Sequence, residues 1–132
     1  MKLESLRRHA ASLPGATVDV KWGADECASV GGKMFAVFLV DAGRARNVAF
    51  KVDAGRFLEL TDRPGIVPAP YLARAHWVQV TDAGALPDAE ARALVERSHA
   101  LVLARLTRSA RDAIASAAPR RPARGITTTR RS

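Results

Sequence analysis

Five basic side chains and one tryptophan are the residues of this chain whose types suit binding chemistry, the capture of phosphate groups. Ammonium and guanidinium groups contact backbone phosphates, and an aromatic ring stacks on a base. Lys33 begins one predicted strand and Lys51 nearly ends the next, while Arg44 and Arg46 lie in the loop between the two strands. The predicted nucleic-acid-binding residues are Lys33, Arg44, Arg46, Lys51, Arg74 and Trp77.

The patterns of the two predicted strands favour burial of one tryptophan and exposure of the other. Trp22 aligns with Val18 and Val20 on one face of an alternating strand, which favours a place in the core. Trp77 lies on the face opposite that of Val78, so we expect its ring to be exposed and available for stacking.

Familiar catalytic motifs fail at specific positions. The segment from Gly31 to Lys33 resembles the end of a phosphate-binding loop, but that loop needs glycine where Cys27 stands and Ser or Thr where Met34 stands. Cys27 itself is a candidate nucleophile, but the neighbouring charge of Glu26 would raise its pKa, and a buried structural cysteine is the better interpretation. We therefore predict a protein that is not an enzyme.

Metal and cofactor chemistry also lacks a pattern. The three histidines are far apart in sequence and form no His-x₃-His pair, so no metal site is predicted from them. Three acidic residues, Asp19, Asp25 and Glu26, form either a cation site or a solvated charged surface, and a solvated surface is the more common arrangement. No cofactor is predicted.

The positive charge of the chain is concentrated at one end. The 132 residues carry a formal charge of +8, which points weakly toward polyanions. Residues 1–106 hold 14 Lys and Arg against 12 Asp and Glu, whereas residues 107–132 hold seven arginines against one aspartate. The sequence therefore predicts a nearly neutral folded domain over 1–106 and a basic, Ala/Arg-rich, largely disordered tail over 107–132. The alanines at 110–118 favour an extension of the preceding helix.

The predicted location is the cytoplasm. The longest apolar run spans residues 34–40, which is too short to cross a bilayer, and the first ten residues do not resemble a secretory signal. A single cysteine permits no internal disulfide, which suits a reducing compartment. No membrane partner is expected.

Hydropathy patterns predict helices and strands in the order α-β-β-β-β-α-β-α. Helical spacing marks residues 2–13 and a long helix from Pro87, and a short helix after Asp53 is expected to bury Phe57, Leu58 and Leu60. Short links between successive strands favour an antiparallel sheet of about five strands with the terminal helices on one face. This is a two-layer α+β fold. The predicted strands cover 17–22, 26–30, 33–40, 47–52 and 76–80, with loops at 41–46 and 63–70.

Several segments together resemble the MmcQ/YjbR family of small bacterial proteins. They are VKWGADECASVGGKMFAVF, VAFKVD, PGIVPAPYLARAHWVQV and SHALVLARL, in that order. The resemblance extends from about Leu3 to Leu106 and implies a frataxin-like, CyaY-type fold and a double-wing mode of DNA binding. The family's recurring positions correspond to Trp22, Lys33, Phe35, Lys51, Pro64, Pro70, Tyr71 and Trp77.

This chain departs from the family where better-known members usually have lysines before the last tryptophan. Arg74 and His76 stand in that stretch, so one of the two charges depends on pH. The frataxin-like fold also raises iron binding as an alternative, but the first helix has more basic than acidic residues and lacks the carboxylates that iron needs.

The sequence thus supports two hypotheses of different classes. The first is a DNA-binding protein that contacts phosphates weakly through basic residues on a hairpin and loops. The second is a protein-interaction or small-ligand module that uses the open sheet face or the loop at 63–71 and has no role with nucleic acid.

Overall fold

The computed structural model describes residues 1–21 and 25–117, and these fold into four α-helices and one sheet. The predicted core position of Trp22 and the part of the predicted disordered tail beyond residue 117 lie outside the described residues, whereas Arg108–Ala117 of that tail form a helix, so the prediction of disorder is wrong there. The helices are α1 (Leu3–Ala11), α2 (Ala54–Thr61), α3 (Asp88–Ala104) and α4 (Arg108–Ala117). The strands are β1 (Ala16–Lys21), β2 (Asp25–Val30), β3 (Lys33–Asp41), β4 (Arg44–Lys51), β5 (Ile66–Pro68) and β6 (Trp77–Val80).

The sheet has six antiparallel strands in the order β1-β2-β3-β4-β6-β5, which confirms the predicted α+β class. The additional strand is β5, which lies in the stretch predicted as a loop because of its prolines. Prolines are tolerated at a sheet edge, where a missing N–H interrupts no interior ladder. β5 pairs only with β6 and forms one edge of the sheet.

The hydrophobic core lies between one face of the sheet and the helices α1 and α3, as predicted. Val48 and Phe50 of β4 and Val52 directly after it are almost completely buried, and the alternation over the predicted strand 47–52 places all three on one face. A β-bulge in β3 turns two successive residues inward: Ala36 pairs with Ala28 and Met34 with Ser29, leaving Phe35 as the extra residue. Phe35 and Ala36 are both fully buried.

Tight turns join the three strands β2, β3 and β4. Gly31 and Gly32 form a two-residue hairpin turn with φ of 58° and 79°, as a glycine pair between the predicted strands 26–30 and 33–40 indicates. Ala42 and Gly43 form a second two-residue turn, with φ of 51° and 75°, so β4 begins at Arg44. The predicted loop over 41–46 is therefore wrong, because the sheet continues almost to the turn. Arg44 and Arg46 are strand residues.

The edge strand β1 is far more exposed than its alternating pattern predicted. Val18 and Val20 remain 43% and 64% exposed. The register pairs Val18 with Ala28, so the valines do face the helix layer. They lie at the outer margin of the sheet, and the expectation that this strand is half-buried is wrong.

The helices show three further differences from the sequence prediction. In α2, Leu60 is fully buried and Phe57 partly buried, but Leu58 is 78% exposed. The helical spacing after Pro87 predicts a buried stripe of Leu94, Val95, Ser98, Leu101, Val102 and Leu106, but Leu101 and Leu106 are only partly buried, whereas Ala91 and His99 of α3 are buried as well. The chain bends after Ala104, so α4 is a separate helix rather than an extension of α3, and Ile114 of α4 packs against the core. No helix within the described ranges is long and apolar enough to cross a membrane.

An ion pair fixes α1 to the sheet. Arg7 donates hydrogen bonds from Nε to Oε1 of Glu26 at 2.8 Å and from Nη2 to Oε2 at 2.5 Å, and both side chains are largely buried. The Arg7 guanidinium lowers the pKa of Glu26 and outweighs the opposing effect of burial. Arg7 also binds Glu4, whose carboxylate accepts the N–H of Ala45 at 2.6 Å.

We expect Glu26→Gln to lower the free energy of unfolding by about 1–2 kcal/mol at neutral pH, because Arg7 loses its charged partner. A carboxylate with a lowered folded-state pKa stabilises the fold above its unfolded pKa, and this contribution disappears as the pH falls through the folded value. Denaturant unfolding of the variant and the parent should therefore converge at acid pH. Glu96→Gln, which alters an exposed carboxylate paired with His9, is the control. Equal losses at both pH values would contradict the assignment.

Candidate functional site

Four basic side chains converge on a cleft at the end of the sheet where β3 begins and β4 ends. The cleft has a volume of about 690 Å³, and we call it the cationic cleft. It contains three of the residues predicted from sequence. The basic lining residues are Lys33, Lys51, Arg74 and Arg105, and the others are Met34, Ala75, His76, Val102 and Leu106.

The first wall of the cleft forms where the end of α3 meets the β2–β3 turn. Gly31 adopts a left-handed backbone, and a Cβ added there would collide with the side chain of Leu106. The absence of a side chain at Gly31 thus lets the segment after α3 approach the turn closely. This approach brings Arg105 to the same cleft as Lys33.

Both the backbone and the side chain of Lys51 are held in the cleft by hydrogen bonds. Its backbone N–H donates to the Ser98 hydroxyl at 3.0 Å, and that hydroxyl donates to the Phe35 carbonyl at 2.6 Å. Ser98 is fully buried, and its two hydrogen bonds connect α3 to both β3 and β4. The Lys51 ammonium donates to the Ala75 carbonyl at 2.5 Å. Burial, together with the charge of Arg105, lowers the pKa of Lys51.

Residues 69–76, which we call the covering loop, supply the opposite wall. A 3₁₀ turn at Ala73–Ala75 presents Arg74, and His76 then reverses the chain with φ of 62°. The His76 carbonyl accepts the Val52 N–H at 2.9 Å, which joins the loop to the end of β4. The His76 ring packs edge-on against Phe57 with 5.6 Å between centroids. Contacts with the end of β4 and with α2 therefore fix His76, and with it this end of the covering loop, which carries Arg74.

The cationic cleft differs from the other arginine-rich surfaces in lacking carboxylates. Arg56 and Arg63 bind Glu59 and Glu90, and Arg97 binds Asp53. In the part of the chain that the structure describes, none of the four basic residues of the cleft forms such an ion pair. Their positive charge is therefore not neutralised locally.

The two other predicted arginines lie at the opposite end of the β3–β4 hairpin. Arg44 pairs with Asp41 in the strand register, and Arg46 Nε lies 3.8 Å from the Asp41 carboxylate. Eight residues of extended strand separate position 33 from position 41, a distance of roughly 25 Å. The prediction that Lys33 and Lys51 lie opposite the arginine pair is confirmed.

The expectation of an exposed Trp77 ring is wrong. Trp77 does face away from the core residue Val78, but its side chain is only 5% exposed. The covering loop folds back on this end of β6: Ala69 N–H donates to the Trp77 carbonyl at 3.0 Å, and Trp77 N–H donates to the Leu72 carbonyl at 3.3 Å. An indole in this position has no free face on which a base can stack.

A second cavity, which we call the sheet-face groove, lies on the sheet face opposite the core. Its volume is about 440 Å³, and it shares Met34 with the cationic cleft. Tyr71 at its margin is completely exposed and has φ of 66°. The groove lies on the open sheet face and beside the end of the loop at 63–71, the two surfaces that the sequence predicted for a small-ligand or protein-interaction module. Its lining residues are Asp25, Met34, Val37, Ala49, Ala69, Pro70, Tyr71, Leu72 and Gln79.

The described side chains offer little to nucleophilic or metal chemistry. Cys27 is fully buried, as the structural interpretation predicted, and burial raises the pKa of its thiol. A raised pKa leaves little reactive thiolate at neutral pH. Over residues 1–21 and 25–117, no group of three or more His, Cys, Asp or Glu residues is placed to hold a metal ion.

Comparison with known proteins identifies the relatives of this fold. The YjbR family model matches residues 11–101. A Deinococcus radiodurans protein, DR2400, described as carrying the domain DUF419, has 24% identity and a TM-score of 0.72 over 86% of this chain and 88% of its own. A Pseudomonas syringae protein has 21% identity and a TM-score of 0.61, with 77% and 99% covered. These two structures show a shared fold alone. No curated protein sequence matches the chain.

Proposed function

The chain belongs to the YjbR family, and we propose that it binds DNA by seating backbone phosphates in the cationic cleft. The observation that supports this proposal is the convergence of Lys33, Lys51 and Arg74 with Arg105 around one concave site. Phosphate contacts of this kind supply most of the affinity of non-specific DNA binding. The proposed role is not enzymatic, because positive charge with a single imidazole suits the holding of an anion.

The exposure of the four basic groups suits this task. Lys33, Arg74 and Arg105 are exposed and can adjust to a phosphate, whereas Lys51 is half-buried and held by the Ala75 carbonyl. A phosphate in the cleft would meet one fixed donor and three adjustable ones. Charge-assisted hydrogen bonds from such groups are stronger than neutral ones.

Arg44 and Arg46 would act only on a longer ligand. At about 3.4 Å per nucleotide, their distance of roughly 25 Å from the cleft corresponds to about seven nucleotides of DNA. We propose that these two arginines make secondary phosphate contacts. Because both are exposed and Arg46 lies near Asp41, their contribution should be smaller than that of the cleft.

The proposed setting is the cytoplasm. Cys27 is the only cysteine of the chain, and a free thiol suits a reducing compartment. Chromosomal DNA and its transcripts are accessible there in a bacterium.

The size of the cleft favours a second candidate function, the binding of a small phosphorylated ligand. A volume of about 690 Å³ lies within the usual range for small-molecule pockets. In that case the protein is a ligand-binding or interaction module, and DNA has no role.

Chemical-shift mapping with the ¹⁵N-labelled full-length protein tests both candidates. On titration with a DNA oligonucleotide, we expect the largest amide shifts at residues 33, 51, 74–76 and 105. A mononucleotide at the same phosphate concentration should give much smaller shifts if the ligand is DNA. Equal shifts with the mononucleotide would favour the small-ligand function, and shifts confined to other surfaces would overturn the cleft as the site.

A further inference from the structure

We propose that the sheet-face groove holds a nucleobase, so that the preferred ligand of this protein is single-stranded rather than double-stranded DNA. This inference rests on the proposed function, because it assigns the base of a strand whose phosphate occupies the cationic cleft. It names a binding site on a sheet face that the phosphate contacts do not use.

The two cavities adjoin each other. Met34 forms part of the lining of both, and the covering loop borders both. Residues 70–72 of that loop line the groove, while residues 74–76 line the cleft. A nucleotide with its phosphate in the cleft can therefore direct its base across Met34 into the groove.

Tyr71 is placed as a stacking platform at the margin of the groove. It follows Pro70, and its side chain is 103% exposed, so the ring contributes nothing to the core. Its backbone is left-handed with φ of 66°, a conformation that costs energy in residues other than glycine. A strained backbone that presents a fully exposed aromatic ring beside a cavity is the arrangement expected for a ligand contact.

The groove is chemically suited to the neutral part of a nucleotide. Met34, Val37 and Ala49 provide apolar walls, and the carboxylate of Asp25 would repel a phosphate. Gln79 can both donate and accept hydrogen bonds, as the edge of a base requires. Among the described residues, none hydrogen-bonds to the side-chain amide of Gln79. The difference in charge between the two cavities therefore assigns the phosphate to the cationic cleft and the base to the sheet-face groove.

Duplex DNA cannot use this groove without losing its pairing. Bases in a duplex are stacked and hydrogen-bonded to each other, and their extrusion costs energy. Exposing a base of a single strand requires much less energy. Aromatic side chains can stack on any base. The groove therefore predicts a preference for single strands with little dependence on sequence.

The test is fluorescence polarisation with the full-length protein and three labelled ligands of equal length: a single strand, its duplex, and a single strand with abasic sites throughout its centre. We expect the single strand to bind about tenfold more tightly than either of the other two. Tyr71→Ala should weaken binding of the single strand about tenfold and leave the affinity for the duplex unchanged. Tyr71→Phe should retain single-strand affinity, because stacking needs the ring rather than the hydroxyl.

Leu58→Ala is the matched control, because Leu58 is an exposed apolar side chain on α2 that lines neither cavity. Equal affinity for the normal and abasic strands, or no effect of Tyr71→Ala, would overturn the base site. If Arg74→Glu still weakens binding in that case, the phosphate cleft stands and only the base site fails. If Arg74→Glu also has no effect, the proposed function itself fails. Binding of an apolar peptide in the groove, with no effect of the base, would assign the groove to a protein partner instead.

Discussion

Arg74→Glu is expected to weaken binding to DNA by about tenfold at roughly 0.1 M salt. Loss of one phosphate contact alone removes close to one power of ten at this salt concentration, and the introduced carboxylate adds repulsion. Arg74 is exposed, lines the cationic cleft and forms no ion pair with the described residues, so the folded state should tolerate the change. Fluorescence polarisation with a labelled oligonucleotide measures the effect.

Arg8→Glu is the matched control for this substitution. Arg8 is an exposed arginine of α1 outside the cleft, and the change alters the net charge equally. We expect its effect on affinity to be less than threefold, because general electrostatic attraction is weaker than a direct contact. Equal losses in the two variants would mean that DNA responds only to net charge, and the cleft would not be the site.

Gly31→Ala is expected to destabilise the fold by roughly 2 kcal/mol and to weaken DNA binding as well. The left-handed backbone costs about 1 kcal/mol once a Cβ is present. A Cβ at this position also collides with the terminal carbons of Leu106, and the shift of this partly buried side chain adds about 1 kcal/mol. Displacement of Leu106 should move the neighbouring Arg105 out of the cationic cleft.

Gly32→Ala separates the two effects. Gly32 has φ of 79°, but nothing lies within 4 Å of an added Cβ. This variant should therefore lose only about 1 kcal/mol and bind DNA normally. Urea unfolding and polarisation of both variants measure the difference. If the two alanines cost the same, the close packing of Leu106 on the turn does not hold the cleft together.

The sequence predicted those parts of the fold whose signals are local. Alternation over residues 47–52 placed Val48, Phe50 and Val52 on one face, which is the buried face of the sheet, and two glycines identified the first hairpin turn. The sixth strand was missed because prolines favour loops, although an edge position accepts them. The exposure of Val18 and Val20 was missed because alternation shows which face a side chain takes. It does not show whether the helices extend far enough to cover that face.

The candidate site could be predicted only in part. Lys33 and Lys51 were placed together because antiparallel pairing brings the start of one strand beside the end of the next. Arg105 was missed because its place depends on the packing of Leu106 on Gly31, which links distant parts of the sequence. The burial of Trp77 depends on the covering loop, which no periodicity describes. In the proposed base site, the exposed ring of Tyr71 replaces Trp77 as the stacking residue.

The salt dependence of DNA binding by the wild-type protein and by Arg74→Glu tests the central claim most directly. Each phosphate contact contributes about −0.9 to the slope of log K against log salt on duplex DNA and about −0.7 on single strands. We predict that Arg74→Glu makes the slope shallower by close to one contact, whereas Arg8→Glu leaves it unchanged. A slope identical in wild type and Arg74→Glu would contradict the account, because it would mean that no phosphate occupies the cationic cleft.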